Sequence, residues 1–200
     1  MAIIFNSEEG IFSLHTKNST YQMQADALGY LLHLYYGTRT EGTMESLIPT
    51  RDRGFSGNPY DAGNNREYSL DLLPQEYPSF GTGDYRSPAL IVKNADGSYA
   101  CDLRYESHEI RAGKYGLPGL PAVYADEAEA ETLEVVLKDT VSGVKVSLLY
   151  GVLPEFDVIT RSVKVENAGV GKVVLEKVQS ACLDFINGTM TCLHSMVVMH

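Results

Sequence analysis

Apolar and polar positions alternate with a period of two along most of the chain, the rhythm of half-buried strands. Residues 1–6 read as a short first strand. Residues 10–16 place Ile11, Ser13 and His15 on one face and Phe12, Leu14 and Thr16 on the other. Residues 19–24 set Tyr21 and Met23 between polar neighbours, residues 26–29 form a turn pattern, and residues 31–37 are strongly apolar and end on glycine. This succession predicts hairpins rather than helices.

Over residues 38–88 the rhythm fades, and Pro49, Pro59, Pro74, Pro78 and Pro88 punctuate the stretch. A long irregular loop inside a domain is uncommon and is often functional. Phe55, Tyr60, Tyr68, Leu70, Leu72, Leu73, Tyr77, Phe80 and Tyr85 supply apolar anchors that disordered segments lack, so the loop is expected to be ordered.

Strand patterns then return. Residues 89–93, a turn at 94–97 and residues 98–105 predict a hairpin, followed by a separate short strand at 107–111 and a loop at 114–121. Residues 128–137 have the composition of a helix. Their β-branched content and the turn at 139–143 favour a strand, with 144–150 pairing back. Residues 158–167, a turn at 168–171 and residues 172–181 predict another hairpin. Residues 182–185 either prolong it or begin a further strand. Residues 189–200 are apolar and stop without a turn or polar tail, which predicts a piece of a longer domain. The fold class expected is all-β, two packed antiparallel sheets in one domain over 1–200, with a long ordered loop near 38–88.

Composition narrows function mainly by exclusion. With 26 acidic and 16 basic residues the formal net charge is −10, and no basic stripe suits a nucleic acid. No apolar run reaches membrane-spanning length. Residues 1–6 lack a basic flank and meet Glu8 and Glu9 at once, so they do not read as a signal peptide, and a cytoplasmic chain is expected. Cys101, Cys182 and Cys192 are too widely spaced for a disulfide framework. The sequons at Asn18 and Asn187 matter only in a secreted chain.

No metalloprotease, nucleophile-elbow, P-loop or dinucleotide signature is present. His15, His33, His108, His194 and His200 show no metal-ligand grouping, and neither a metal nor a cofactor is expected. His33, within an apolar strand, reads as a sheet residue rather than a ligand. The 13 tyrosines, with no tryptophan, suit strand edges and also sugar faces. Within 51–88 arginines and acids alternate with aromatics and glycines. Arg53, Asp84 and Arg86 are expected to order the loop through bidentate pairs. For Asp52 the residues alone favour neither a clamp nor a sugar contact. A glycosidase needs two carboxylates flanking a bond, and no spacing selects a pair.

A resemblance emerges from several motifs in order: Leu28-Gly29-Tyr30-Leu31-Leu32-His33, Asp52-Arg53-Gly54-Phe55-Ser56, Leu73-Pro74-Gln75-Glu76-Tyr77-Pro78, Gly81-Thr82-Gly83-Asp84-Tyr85-Arg86-Ser87-Pro88, Asp102-Leu103-Arg104-Tyr105, Gly116-Leu117-Pro118-Gly119-Leu120-Pro121 and Val158-Ile159-Thr160-Arg161-Ser162. Together they resemble the N-terminal β-supersandwich domain of bacterial α-galactosidases (melibiases) of glycoside hydrolase family 36. The resemblance implies a catalytic (β/α)8 barrel beyond this chain, retaining hydrolysis of terminal α-galactosides such as melibiose and raffinose, and a tetramer. Both catalytic aspartates would lie in the barrel, so the chain alone is expected to be inactive. The family's sugar-contacting aspartate and arginine, which reach a neighbouring subunit's site, fall on Asp52 and Arg66. The family's supersandwich is longer than this chain, and residues 190–200 lack its tryptophan-rich segment, so the domain is expected to be cut short, with open sheet edges. The alternatives are a galactoside-binding module without catalysis and a purely structural assembly domain.

Overall fold

The computed structural model describes residues 2–52, 54 and 58–183. Four consecutive strands, β1 (Ile3–Asn6), β2 (Ile11–His15), β3 (Ser19–Ala25) and β4 (Leu31–Thr38), form an antiparallel meander. A second meander joins β6 (Arg104–Ala112), β7 (Glu131–Lys138), β8 (Val144–Leu153) and β9 (Val158–Asn167). A small ladder pairs β5 (Leu90–Lys93) with β10 (Val174–Val178), so two major sheets are accompanied by a two-stranded third. Among the described residues the helical segments are three single 3-10 turns.

The main core follows the strand period. Val144, Val146, Leu148, Tyr150 and Val152 of β8 point inward, as do Leu133, Val135 and Leu137 of β7. They belong to one apolar cluster with Ile3, Phe12, Leu14, Tyr21 and Met23 of the first sheet and with Leu90 and Val92 of β5. Burying each Leu- or Val-sized side chain contributes roughly 1.5–3 kcal/mol.

β3 departs from simple alternation, because Thr20 through Gln24 are all buried. The irregular stretch after β4 covers its polar face. Gln22 donates to the Gly42 carbonyl at 2.9 Å and accepts from the Met44 amide at 3.0 Å, and Gln24 donates to Glu45 at 2.9 Å. A second apolar cluster, Tyr30, Leu32, Leu70 and Leu73, joins β4 to the later part of the same stretch. The loop expected at 38–88 is thus packed on the sheet through residues 42–45 at one end and Leu70 and Leu73 at the other.

Three strand assignments are corrected. The turn at 94–97 forms, with the Asn94 amide donating to Ser98 O at 2.8 Å, but residues 98–103 do not pair back on β5. The Asn94 side chain instead ties Ala100 O at 2.8 Å, Ser79 ties Cys101 O, and Cys101 and Leu103 turn into the core. β10 likewise pairs with β5 rather than β9. Gly169 lies so close to Ser142 O that a Cβ would sit 2.1 Å away, and the Ala168 amide donates to Gly143 O at 3.1 Å. This turn stacks on the β7–β8 connection and sends the chain away from β9. Residues 107–111 are no separate strand, because a bulge between Tyr105 and Ser107 merges them into β6. The segment 189–200 lies outside the described residues.

Candidate functional site

The irregular stretch carries three polar arrangements. The first is an exposed arm around Asp52 and Arg66. Asp52 caps its own turn by accepting the Gly54 amide at 2.7 Å, with Gly54 at φ +72°. Such a positive φ favours glycine. The Asn58 side chain donates to Asn65 O at 2.7 Å and draws the arm's two ends together around a 3-10 turn at Tyr60–Ala62. Arg66 Nε then donates to Asp52 Oδ1 at 3.2 Å, and Nη2 reaches Gly54 O at 3.4 Å. The side chains of Arg66 and Asp52 remain 63% and 51% exposed, open to a ligand or a partner.

The second is a clamp. Asp84, with its side chain almost fully buried, accepts Arg86 Nε at 2.9 Å and Nη2 at 2.7 Å. Arg86 also donates to Leu70 O and Leu73 O at 3.0 and 2.7 Å, and Gln75 donates to Asp84 at 2.9 Å. One arginine thus gathers three separate points of the loop. Arg53, expected to share this ordering role, lies outside the described residues.

The third arrangement was not singled out by sequence. Glu76 is fully buried where the loop crosses the two main sheets. It accepts hydroxyls from Tyr21 of β3 and Tyr150 of β8 at 2.7 Å, and Arg161 Nη1 of β9 at 2.6 Å. His33 Nδ1 of β4 lies 3.4 Å away, so four strands converge on one carboxylate. Burial alone would raise the Glu76 pKa, but Arg161, His33 and Tyr21 outweigh it and hold the group below its usual range. Burial and the Glu76 charge push the Tyr21 and Tyr150 hydroxyls well above theirs. This is a carboxylate kept ionised and enclosed, unsuited to donating a proton to substrate.

The signal that marks this node is the placement of polar residues on apolar strand faces. Tyr150 shares its face with Leu148 and Val152, and Arg161 shares its face with Ile159 and Val163.

Among the described residues no group of three His, Cys, Asp or Glu side chains can hold a metal ion, and no helix is long and apolar enough to cross a membrane. Cys101 is buried, which pushes its thiol up to about 12.

Comparison with known proteins gives the family. The model of the glycosyl hydrolase family 36 N-terminal domain matches residues 29–195. The bifunctional alpha-galactosidase/sucrose kinase AgaSK of Mediterraneibacter gnavus is 61% identical over 94% of this chain, which spans 20% of that relative. The solved galactosidase domain of AgaSK superposes with a TM-score of 0.91 at 61% identity, over 94% of this chain and 26% of that one. A structure of the alpha-galactosidase AgaA of Geobacillus stearothermophilus in complex with raffinose gives a TM-score of 0.81 at 42% identity, over 86% of this chain and 24% of that one. The chain spans about a fifth to a quarter of the length of these relatives. On its sequence and its sheets alike, this chain belongs to the glycosyl hydrolase family 36 N-terminal domain family.

Proposed function

We propose that the chain is the non-catalytic N-terminal domain of an α-galactosidase, serving assembly and lending its Asp52–Arg66 arm to the sugar site of a neighbouring subunit. The parent enzyme would remove terminal, non-reducing α-D-galactose with retention, using a barrel beyond this chain, and would work as a homo-oligomer, a tetramer by family resemblance. The raffinose bound to the AgaA relative supports an α-galactoside as substrate.

The observation that carries the reading is the outward presentation of Asp52 and Arg66 on an arm closed upon itself. A carboxylate and a guanidinium held side by side can accept from and donate to adjacent sugar hydroxyls. Two measurements test the reading. The chain alone is expected to release no chromophore from para-nitrophenyl α-D-galactopyranoside, and turnover would overturn the non-catalytic assignment. In the parent enzyme Asp52→Ala is expected to raise KM more than it lowers kcat. Unchanged values of both would remove the arm from the sugar site.

A further inference from the structure

We propose that the hollow between Tyr60 and Arg104 binds a single pyranose ring, through side chains other than the Asp52–Arg66 pair. The proposal rests on the function above only for its choice of a galactoside as probe.

The hollow measures about 280 Å3, and Tyr30, Tyr60, Asp61, Thr82, Asp102 and Arg104 contribute to its walls. Compact ligand sites start at about 300 Å3, so the space suits one ring rather than a chain of them. Tyr60 stands at the start of a 3-10 turn, 99% exposed, with Pro59 fixing the approach at φ −63°. An aromatic ring left entirely in water gains by covering its face, and a sugar offers an apolar C–H face of that size.

The polar wall is already organised. Arg104 stacks on the Tyr30 ring at 3.9 Å, donates to Leu28 O at 2.5 Å, and holds Asp102 through Nε and Nη2 at 3.0 and 2.8 Å. Tyr30 donates to the same Asp102 at 2.9 Å. These groups need no reordering when a ligand arrives, which lowers the entropic cost of binding. Asp61 is different. Its carboxylate is 59% exposed and approaches Arg104 at 3.4 Å, leaving lone pairs for two neighbouring hydroxyls. Gly81, at φ +92°, lets the backbone close the floor, since a Cβ there would sit 2.8 Å from Ala100 Cα. With two carboxylates to one guanidinium, the wall disfavours phosphate or carboxylate ligands and suits a neutral polyol.

The test is a titration of the full chain with methyl α-D-galactopyranoside, followed by amide chemical shifts. An open site with one stacking ring should give a Kd in the millimolar range. Tyr60→Ala should weaken binding roughly five- to tenfold and Asp61→Asn by a similar factor. Tyr124→Ala, another exposed tyrosine, should leave it unchanged. No saturation up to roughly 100 mM, or an equal Kd in Tyr60→Ala, overturns the proposal. So does a Tyr60→Ala variant that changes sedimentation but not the titration, which assigns the ring to a contact between copies. The amide shifts that saturate should be those of Tyr60, Asp61, Thr82 and Arg104, and saturation confined to Gly54 and Arg66 overturns the proposal. A failure of the arm in the parent enzyme and a failure of this hollow are thereby told apart.

Discussion

Glu76 and Asp52 belong to the same irregular stretch, and each faces an arginine, but in opposite surroundings. Glu76 is enclosed by Arg161, Tyr21, Tyr150 and His33. Asp52 meets Arg66 at 3.2 Å with half of its side chain in water. In the enclosed case solvent cannot replace a lost partner, and the pair welds the loop to both sheets. In the open case water competes with the pair, and the same chemistry remains available to something else. The contrast separates a residue that holds the loop from a residue that the loop presents.

The largest effect is expected where the enclosed pair is cut. Arg161→Met leaves the Glu76 carboxylate buried without its main counter-charge, and such losses cost about 3–5 kcal/mol. Urea denaturation at neutral pH should show this as a lower midpoint with a similar slope. A loss below about 1 kcal/mol, the range of exposed pairs, would erase the distinction from Asp52.

Acid should act on the same node. The folded Glu76 pKa lies below its unfolded value, so near the ordinary carboxylate pKa the unfolded chain binds more protons. The stability from Glu76 is complete above that ordinary value of 4.5 and is lost as pH falls toward the lower folded pKa. Urea midpoints should therefore fall as pH drops below about 4.5, and Glu76→Gln should flatten that part of the profile. An identical acid limb in the variant would assign the loss to other carboxylates.

The clamp at Asp84 falls between the extremes. Its carboxylate is buried but Arg86 is 35% exposed, so solvent can reach one partner. Asp84→Ala is expected to cost about 1.5–3 kcal/mol, the range for charge-assisted hydrogen bonds. Limited proteolysis should find new cuts between Leu70 and Arg86, the stretch this pair gathers. Cuts elsewhere, with that stretch still protected, would mean that Glu76 alone orders the loop.

The strands carried their own signal, whereas the node left a trace only in its strand partners, Tyr150 and Arg161 on apolar faces, and none at Glu76 itself. Tyr21 and Met23, or Val144 to Tyr150, reveal their face through local alternation. Glu76 sits in no repeating pattern, and its partners Tyr21, Tyr150 and Arg161 lie 55, 74 and 85 positions away. The pairing of β5 with β10 was hidden for the same reason. The turn at 94–97 is local chemistry and was legible, but the strand that fills the β5 edge arrives some eighty residues later. Asp52 and Arg66 were named through motif resemblance rather than spacing, and the structure adds only their contact with each other across 14 positions.

The smallest effect is the sharpest test of the contrast. The Asp52–Arg66 pair is exposed, and such pairs contribute about 0.2–1 kcal/mol. Asp52→Ala, Arg66→Ala and the double variant should each leave the urea midpoint of the chain nearly unchanged. The coupling from the cycle should stay within that range and shrink as salt is raised, because ions screen exposed charges. The parent enzyme should still respond to Asp52→Ala through KM. A large, salt-independent coupling in the isolated chain would instead make the pair a structural staple like the Glu76 node. The raised KM would then follow from a collapsed arm rather than from a lost sugar contact.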